Sequence, residues 1–337
     1  MKPSSLLLWT AVALLFSGCS SKQYFEPEQT FSASQATSAY ESTIIDRSRD
    51  GATLQNGQYI GKKGVEQIHL GEGYRFLSEN SSYVLAGDAE GKLKIIKKRD
   101  KKVLRIIDLK MPIVSASIHK NTIAYILNNN AFGIYRIDTD KKIMENRSEV
   151  TYAIDTRAAS PMFIDTLVIM PTLDGKLVIM DSNDPVDAKV IYLSSDKMFN
   201  NVIYLSRMGD TLVAATPKKL ITIGVDGQEE YRANISDIAV LHNAIYLFSK
   251  EGEVIKLDHA LKEQASKKFK YAHFAVSTAF GNKVYALDQQ GALIVLSADL
   301  KHFKIYDIGE VESPVFIAGS RLYKEGKIIN LSKLNYQ

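Results

Sequence analysis

The residues best suited to hold a metal or shuttle a proton are six histidines, His69, His119, His242, His259, His273 and His302. No two stand at HxH or HxxxH spacing, so no single strand or helix presents a pair of imidazoles to one ion. They fall at expected strand ends and turns, and only distant positions converging on one axis would assemble a site from them. The run Asp181-Ser182-Asn183-Asp184-Pro185-Val186-Asp187 is rich in oxygen ligands. A helix–loop–helix calcium site, however, needs glycine at its sixth position and glutamate at its twelfth, where Val186 and Tyr192 stand. It reads as a polar turn. No P-loop, GxSxG, HExxH or dinucleotide fingerprint occurs, and Gly224-Val225-Asp226-Gly227 is a hairpin turn. No catalytic, cofactor-binding or metal-ligating residue is therefore assigned. The remaining nucleophile of note is Cys19, the single cysteine, which has no second thiol with which to form a disulfide.

What precedes that thiol gives it a use. Lys2 supplies a positive start, Leu6 to Phe16 is an apolar run, and the small residues Ser17 and Gly18 lead into Cys19. This is the layout of a secretory signal, and the run is too short to span a bilayer. Leu14-Leu15-Phe16-Ser17-Gly18-Cys19 resembles a bacterial lipobox. That resemblance implies cleavage after residue 18, a diacylglyceryl thioether on Cys19 and an acylated amine (palmitate in many such proteins). Ser20 at the next position implies sorting to the outer membrane, on its periplasmic face, with display on the outer leaflet left open. A plain secretory signal with an incidental cysteine is the alternative.

Without residues 1–18 the chain keeps 41 Lys plus Arg against 38 Asp plus Glu, a formal +3. So mild a charge over so long a chain gives no nucleic-acid footprint. Residues 19–57 are dominated by Ser, Thr, Ala, Gln and Glu, without a sustained apolar period. They are expected to form a flexible tether with an average reach of roughly 30–35 Å.

From Gln58 onward the chain repeats. A strand-like opening recurs at Tyr83, Ile123, Leu167, Leu212, Ile245, Val284 and Leu322, with spacings of 40, 44, 45, 33, 39 and 38 residues. A period near 40 in an all-strand chain signals a β-propeller. Five openings run into a turn ending in glycine, at Gly91, Gly175, Gly252, Gly291 and Gly326; Asn128-Asn129-Asn130 and Thr216-Pro217-Lys218-Lys219 replace it in the other two. Continuous apolar strands follow, such as Leu177-Val178-Ile179-Met180 and Leu293-Ile294-Val295-Leu296, as expected where both faces of a sheet are covered. Helical patterning is weak and confined to Ser32–Ser42 and Asp258–Lys268.

The last unit lacks its outer strand, and a spare strand sits around Val65 to Leu70. Pairing the two would close the ring and remove two open edges. The expected fold is all-β: a seven-bladed β-propeller over residues 58–337, with eight blades the alternative, closed by an N-terminal strand.

The unit of strand, xxGxL turn, strand and Asp-containing turn resembles PQQ-type and WD-type propellers. Joined to a lipobox, it resembles the BamB family of outer-membrane assembly lipoproteins. That resemblance implies a non-enzymatic scaffold, monomeric as a ring and working within a complex of envelope proteins, with no cofactor. An accessory subunit of another envelope system (a respiratory enzyme, a flagellar component, an adhesin) is the second reading, and a propeller enzyme such as a quinoprotein the third. Candidate partner-binding residues lie in the longer connections, 145–161 and 193–201: Arg147, Tyr152, Asp155, Arg157, Lys197, Met198 and Phe199. Lys92 to Arg105 carries eight basic residues in fourteen positions. It reads first as a lysine-defended outer hairpin and second as a patch for an acidic partner or anionic head groups.

Overall fold

Each of the seven openings forms the second strand of an antiparallel sheet: Tyr83–Gly87, Thr122–Leu127, Leu167–Pro171, Thr211–Thr216, Ala244–Ser249, Lys283–Asp288 and Arg321–Lys324. In this computed structural model the described residues are 23–151, 154–195, 198–225 and 227–337. An eighth sheet comes before the seven, built from Ile44–Arg47, Ala52–Leu54, Tyr59–Gly61 and Gly64–Glu66. The ring therefore has eight blades. In chain order they occupy residues 44–66, 75–108, 113–147, 162–192, 204–232, 235–268, 274–307 and 316–330. The first strand of each blade lies innermost, and inner strands of neighbouring blades approach one another around the axis.

Two expectations are corrected here. Residues 44–57, assigned to the tether, belong to blade 1, and the supposed spare strand is that blade's own outer strand, Gly64–Glu66. Blade 1 is built of strands of only three or four residues. It therefore shows no long apolar run, yet Ala52, Leu54, Tyr59 and Ile60 are wholly buried. An N-terminal strand does close the ring, but it is Thr37–Ala39, antiparallel to Lys327–Asn330 with Ser38 opposite Ile328. Just before it, Phe31–Ser32 adds a fifth, parallel strand to blade 7 beside Tyr306 and Asp307. Phe25 meets Phe269 edge to face at 5.8 Å. The two weak helical candidates resolve into a short 3-10 turn, Ser34–Ala36, between strands, and the strand Glu263–Lys268.

There is no single core. Eight apolar clusters line the eight seams between adjacent blades, the closing one joining Ile44, Leu54 and Ile60 to Ala318 and Tyr323. Buried tyrosines fasten several seams with their hydroxyls. Tyr59 donates to Glu79 in the next blade at 2.8 Å, Tyr246 to the Ala298 carbonyl at 2.7 Å, and Tyr285 to the Leu331 carbonyl at 3.2 Å. A buried ring with a satisfied hydroxyl supplies both burial and direction, which tryptophan does not do here because Trp9 is the only one in the chain.

The recurring turn glycine has two physical causes. Gly91 and Gly291 both take φ of +91°, which side-chain-bearing residues rarely adopt. A Cβ there would also sit 2.5 Å from the Met111 nitrogen or 2.1 Å from the Gly309 carbonyl oxygen, in the connection to the next blade. In blade 3 the position passes to Asn130, with φ of +62°.

Candidate functional site

The two long connections lead into the inner strands of blades 4 and 5, so both emerge at the face where inner strands begin. Asn201, wholly buried, ties them together. Its side-chain oxygen accepts from Asp155 N at 2.7 Å, and its amide donates to the Asp155 and Arg157 carbonyls at 3.0 and 3.2 Å. The first connection is also held at its base. Asn130 donates to the Glu149 carbonyl at 2.7 Å, and Ser148 donates to Asp174 at 2.7 Å. Burial pushes the Asp174 carboxyl up, but Lys176 and the donors of Thr172, Asn130 and Ser148 outweigh it and hold it at about 2.

Arg157 turns inward. It pairs with Asp155 and donates to the Ile235 and Ser236 carbonyls of blade 6. From the other side Arg47 donates to the Val315 carbonyl at 3.2 Å and the Ala275 carbonyl at 3.4 Å. Between them lies a cavity of about 670 Å³, lined by Arg47, Asp155, Arg157, Phe199, Lys250 and Gln289 among others.

A second cavity, about 410 Å³, opens where the inner strands end, and Asp50, Lys62, His119, Phe163 and Tyr204 contribute to its wall. Arg49 separates the two. From the first hairpin of blade 1 it crosses the axis, its Nε donating to the Ile203 carbonyl and its Nη1 to Asp237, both at 2.8 Å. Its guanidinium also lies 5.6 Å from the Tyr204 ring centre. The middle of the channel is thus filled by an ion pair.

The candidates from the connections divide accordingly. Asp155, Arg157 and Phe199 come together around the larger cavity, the first two already paired. Met198 and Phe199 are about half exposed, at 53% and 49%. Arg147 ends the outer strand of blade 3 and donates to the Asn129 carbonyl, away from the cavity. Tyr152, Lys197 and Cys19 lie outside the described residues. Sequence reasoning missed Arg47, Arg49, Asp237, Lys250 and the exposed Val150. The available signal was Asp46-Arg47-Ser48-Arg49-Asp50, a charged hairpin tip between Ile45 and Gly51.

Among the described residues no group of three or more His, Cys, Asp or Glu is placed to hold a metal. The Asp181 run is a hairpin turn in which Asp181 accepts from Asn183 N at 2.7 Å. Half of the basic cluster has partners within the protein, Lys92 only in its own exposed turn. Lys98 pairs with Glu79 at 2.6 Å, Lys92 with Glu90 at 2.5 Å and Arg105 with Asp140 at 2.6 Å. Lys94, largely buried, donates to the Leu70 carbonyl at 2.7 Å over the Tyr74 ring. Lys97, Arg99, Lys101 and Lys102 remain at the hairpin tip.

These features define an eight-bladed β-propeller with an arginine-plugged axis and a loop-framed mouth. No family model matches the chain. Its relatives include the plasminogen-binding protein PgbB of Helicobacter pylori. The J99 protein is 28% identical and the 26695 protein 27%, each alignment covering 96% of this chain and 68% of PgbB. Among solved structures, BamB from Moraxella catarrhalis superposes with a TM-score of 0.67 at 15% identity, covering 87% of this chain and 98% of BamB. Saccharomyces cerevisiae Sqt1 reaches 0.60 at 12% identity, over 87% and 98% of the two chains. These structural likenesses speak for the propeller fold, in agreement with the BamB-like architecture expected from the repeats.

Proposed function

We propose that the chain is a non-catalytic propeller of the bacterial cell envelope, held to the membrane by lipid on Cys19, that binds other proteins at the mouth framed by residues 148–161 and 193–203. One observation carries this reading. The axis, where a propeller enzyme would gather its reacting groups, is filled by Arg49, while Val150, Met198 and Phe199 stand exposed on loops clamped by Asn201. Exposed apolar side chains on a rigid frame are what a protein interface uses. A tether at the membrane would raise the local concentration of the ring near its partners.

Scaffolding of outer-membrane protein assembly, as in the BamB family, is the leading form of this role. Binding of an extracellular host protein is the second, favoured by the name that the PgbB relatives bear. Crosslinking in intact cells followed by identification of partners separates them. Recovery of the barrel-assembly complex supports the first, and crosslinking to added plasminogen at the cell surface supports the second. Turnover of a small substrate by the purified chain with no stable protein partner would overturn both.

A further inference from the structure

The chain ahead of the ring is fixed at three successive points on the outer wall. Thr37–Ala39 extends blade 8, Phe31–Ser32 extends blade 7, and Phe25 packs on the apolar seam between blades 6 and 7. The Phe25 ring meets Phe269 at 5.8 Å, and Phe269 meets Phe303 at 5.3 Å, both edge to face. Cys19 precedes Phe25 by only six residues, and six residues reach at most about 20 Å when fully extended. A lipid on that thiol would therefore sit close to this seam, with the opposite wall, at blades 2 and 3, turned away from the bilayer.

The wall around the seam differs from the rest of the rim. Of the six exposed aromatic side chains among the described residues, four stand here: Tyr24, Phe31, Tyr271 and Phe303. Lysines accompany them. Lys267 Nζ lies 4.7 Å from the Phe303 ring centre, Lys270 Nζ 4.7 Å from that of Tyr271, and Lys304 Nζ 4.0 Å from that of Phe31. Half-exposed rings suit the headgroup level of a bilayer, where lysine stems lie along apolar surface and their ammonium groups stay in water beside phosphates. Glu26, Glu28 and Glu263 share this wall, so the rings rather than net charge carry the contact.

We propose that the outer wall at blades 6 and 7, centred on Phe303 and Tyr271, is the surface by which the ring rests on a phospholipid bilayer. The proposal builds on Cys19 as the point of anchorage and adds which side of the ring faces the membrane. Resting on its wall, the ring leaves the loop-framed mouth open to partners.

The test couples the processed chain, residues 19–337, through its single thiol to maleimide-bearing lipid in vesicles of phosphatidylethanolamine and phosphatidylglycerol. Attachment is then chemical, so the outcome does not depend on acylation of Cys19 in the cell, which fractionation of Cys19→Ala tests separately. The photo-crosslinking residue benzoylphenylalanine replaces Phe303, Tyr271 or, across the ring, Ile106 of blade 2, which is 50% exposed. Lipid should be captured from position 303 or 271 at least about fivefold more than from 106, because so short a span holds the far wall away from the bilayer. Two positions on the wall keep the test open if one replacement folds poorly. Capture from 106 equal to that from 303 and 271 would overturn the proposal, and so would capture from none of the three.

Discussion

Arg49 and Asp237 meet across the propeller axis at 2.8 Å, joining the first hairpin of blade 1 to the inner strand of blade 6. Asp237 also accepts from Ser277 N of blade 7 at 3.3 Å, and Arg49 holds the Ile203 carbonyl ahead of blade 5. The pair thus links blade 1, the first sheet made, to blades formed much later in the chain. Its removal leaves a largely buried carboxylate unpaired. Arg49→Met should cost about 2–4 kcal/mol, which is a fall in melting temperature of several degrees at ~2–4 °C per kcal/mol. The double variant Arg49→Met, Asp237→Asn should melt above the single, because the stranded charge is gone. Strictly additive losses in thermal denaturation would mean that the two side chains act separately.

Closure by Thr37–Ala39 separates two truncations. A chain starting at Gln29 keeps the closing strand and should melt near the full-length protein. A chain starting at Glu41 exposes the edge of Lys327–Asn330 and should melt lower and self-associate in size-exclusion chromatography. Equal behaviour of the two would place the latch elsewhere.

Acid should loosen the base of the first connection. The Asp174 carboxyl is held at about 2, below the ordinary value of about 3.9 in an unfolded chain. Its contribution to stability is therefore complete above pH ~4 and is lost as pH falls toward about 2. Asp174→Asn should lower the melting temperature at pH 7 and flatten its dependence on pH below about 4. A variant with the same acid profile as wild type would show that Asp174 does not carry it.

Anchoring has a plain test. Cys19→Ala should move the protein from the membrane fraction to the soluble fraction after carbonate washing. Retention on the membrane would make some other contact the anchor.

Seven blades were legible because each contributes a second strand of four to six residues and, in five cases, a turn glycine that geometry demands. Blade 1 was hidden because strands as short as Ala52–Leu54 and Tyr59–Gly61 leave no apolar run to detect, and their burial comes from neighbouring blades. Gln55-Asn56-Gly57 was the overlooked cue, an Asn-Gly hairpin turn in which Gly57 has φ of +81°. The site was partly legible. Long connections announced the loops, and Phe199 lies at the mouth, but the inward turn of Arg157 depends on carbonyls of blade 6, and the placing of Asp155 on Asn201 46 residues away, which no local pattern encodes. Arg49 was missed for the same reason, since its partners Ile203 and Asp237 are 154 and 188 residues away.

The central claim, protein recognition at the loop-framed mouth, is tested most directly by placing a photo-crosslinking amino acid at single positions in the living cell. A probe at Met198 or Phe199 should capture a defined partner protein, while one at Val225, the highly exposed outer turn of blade 5 (93% exposed), should not. Capture only from Val225, or from none of the three, would contradict the account.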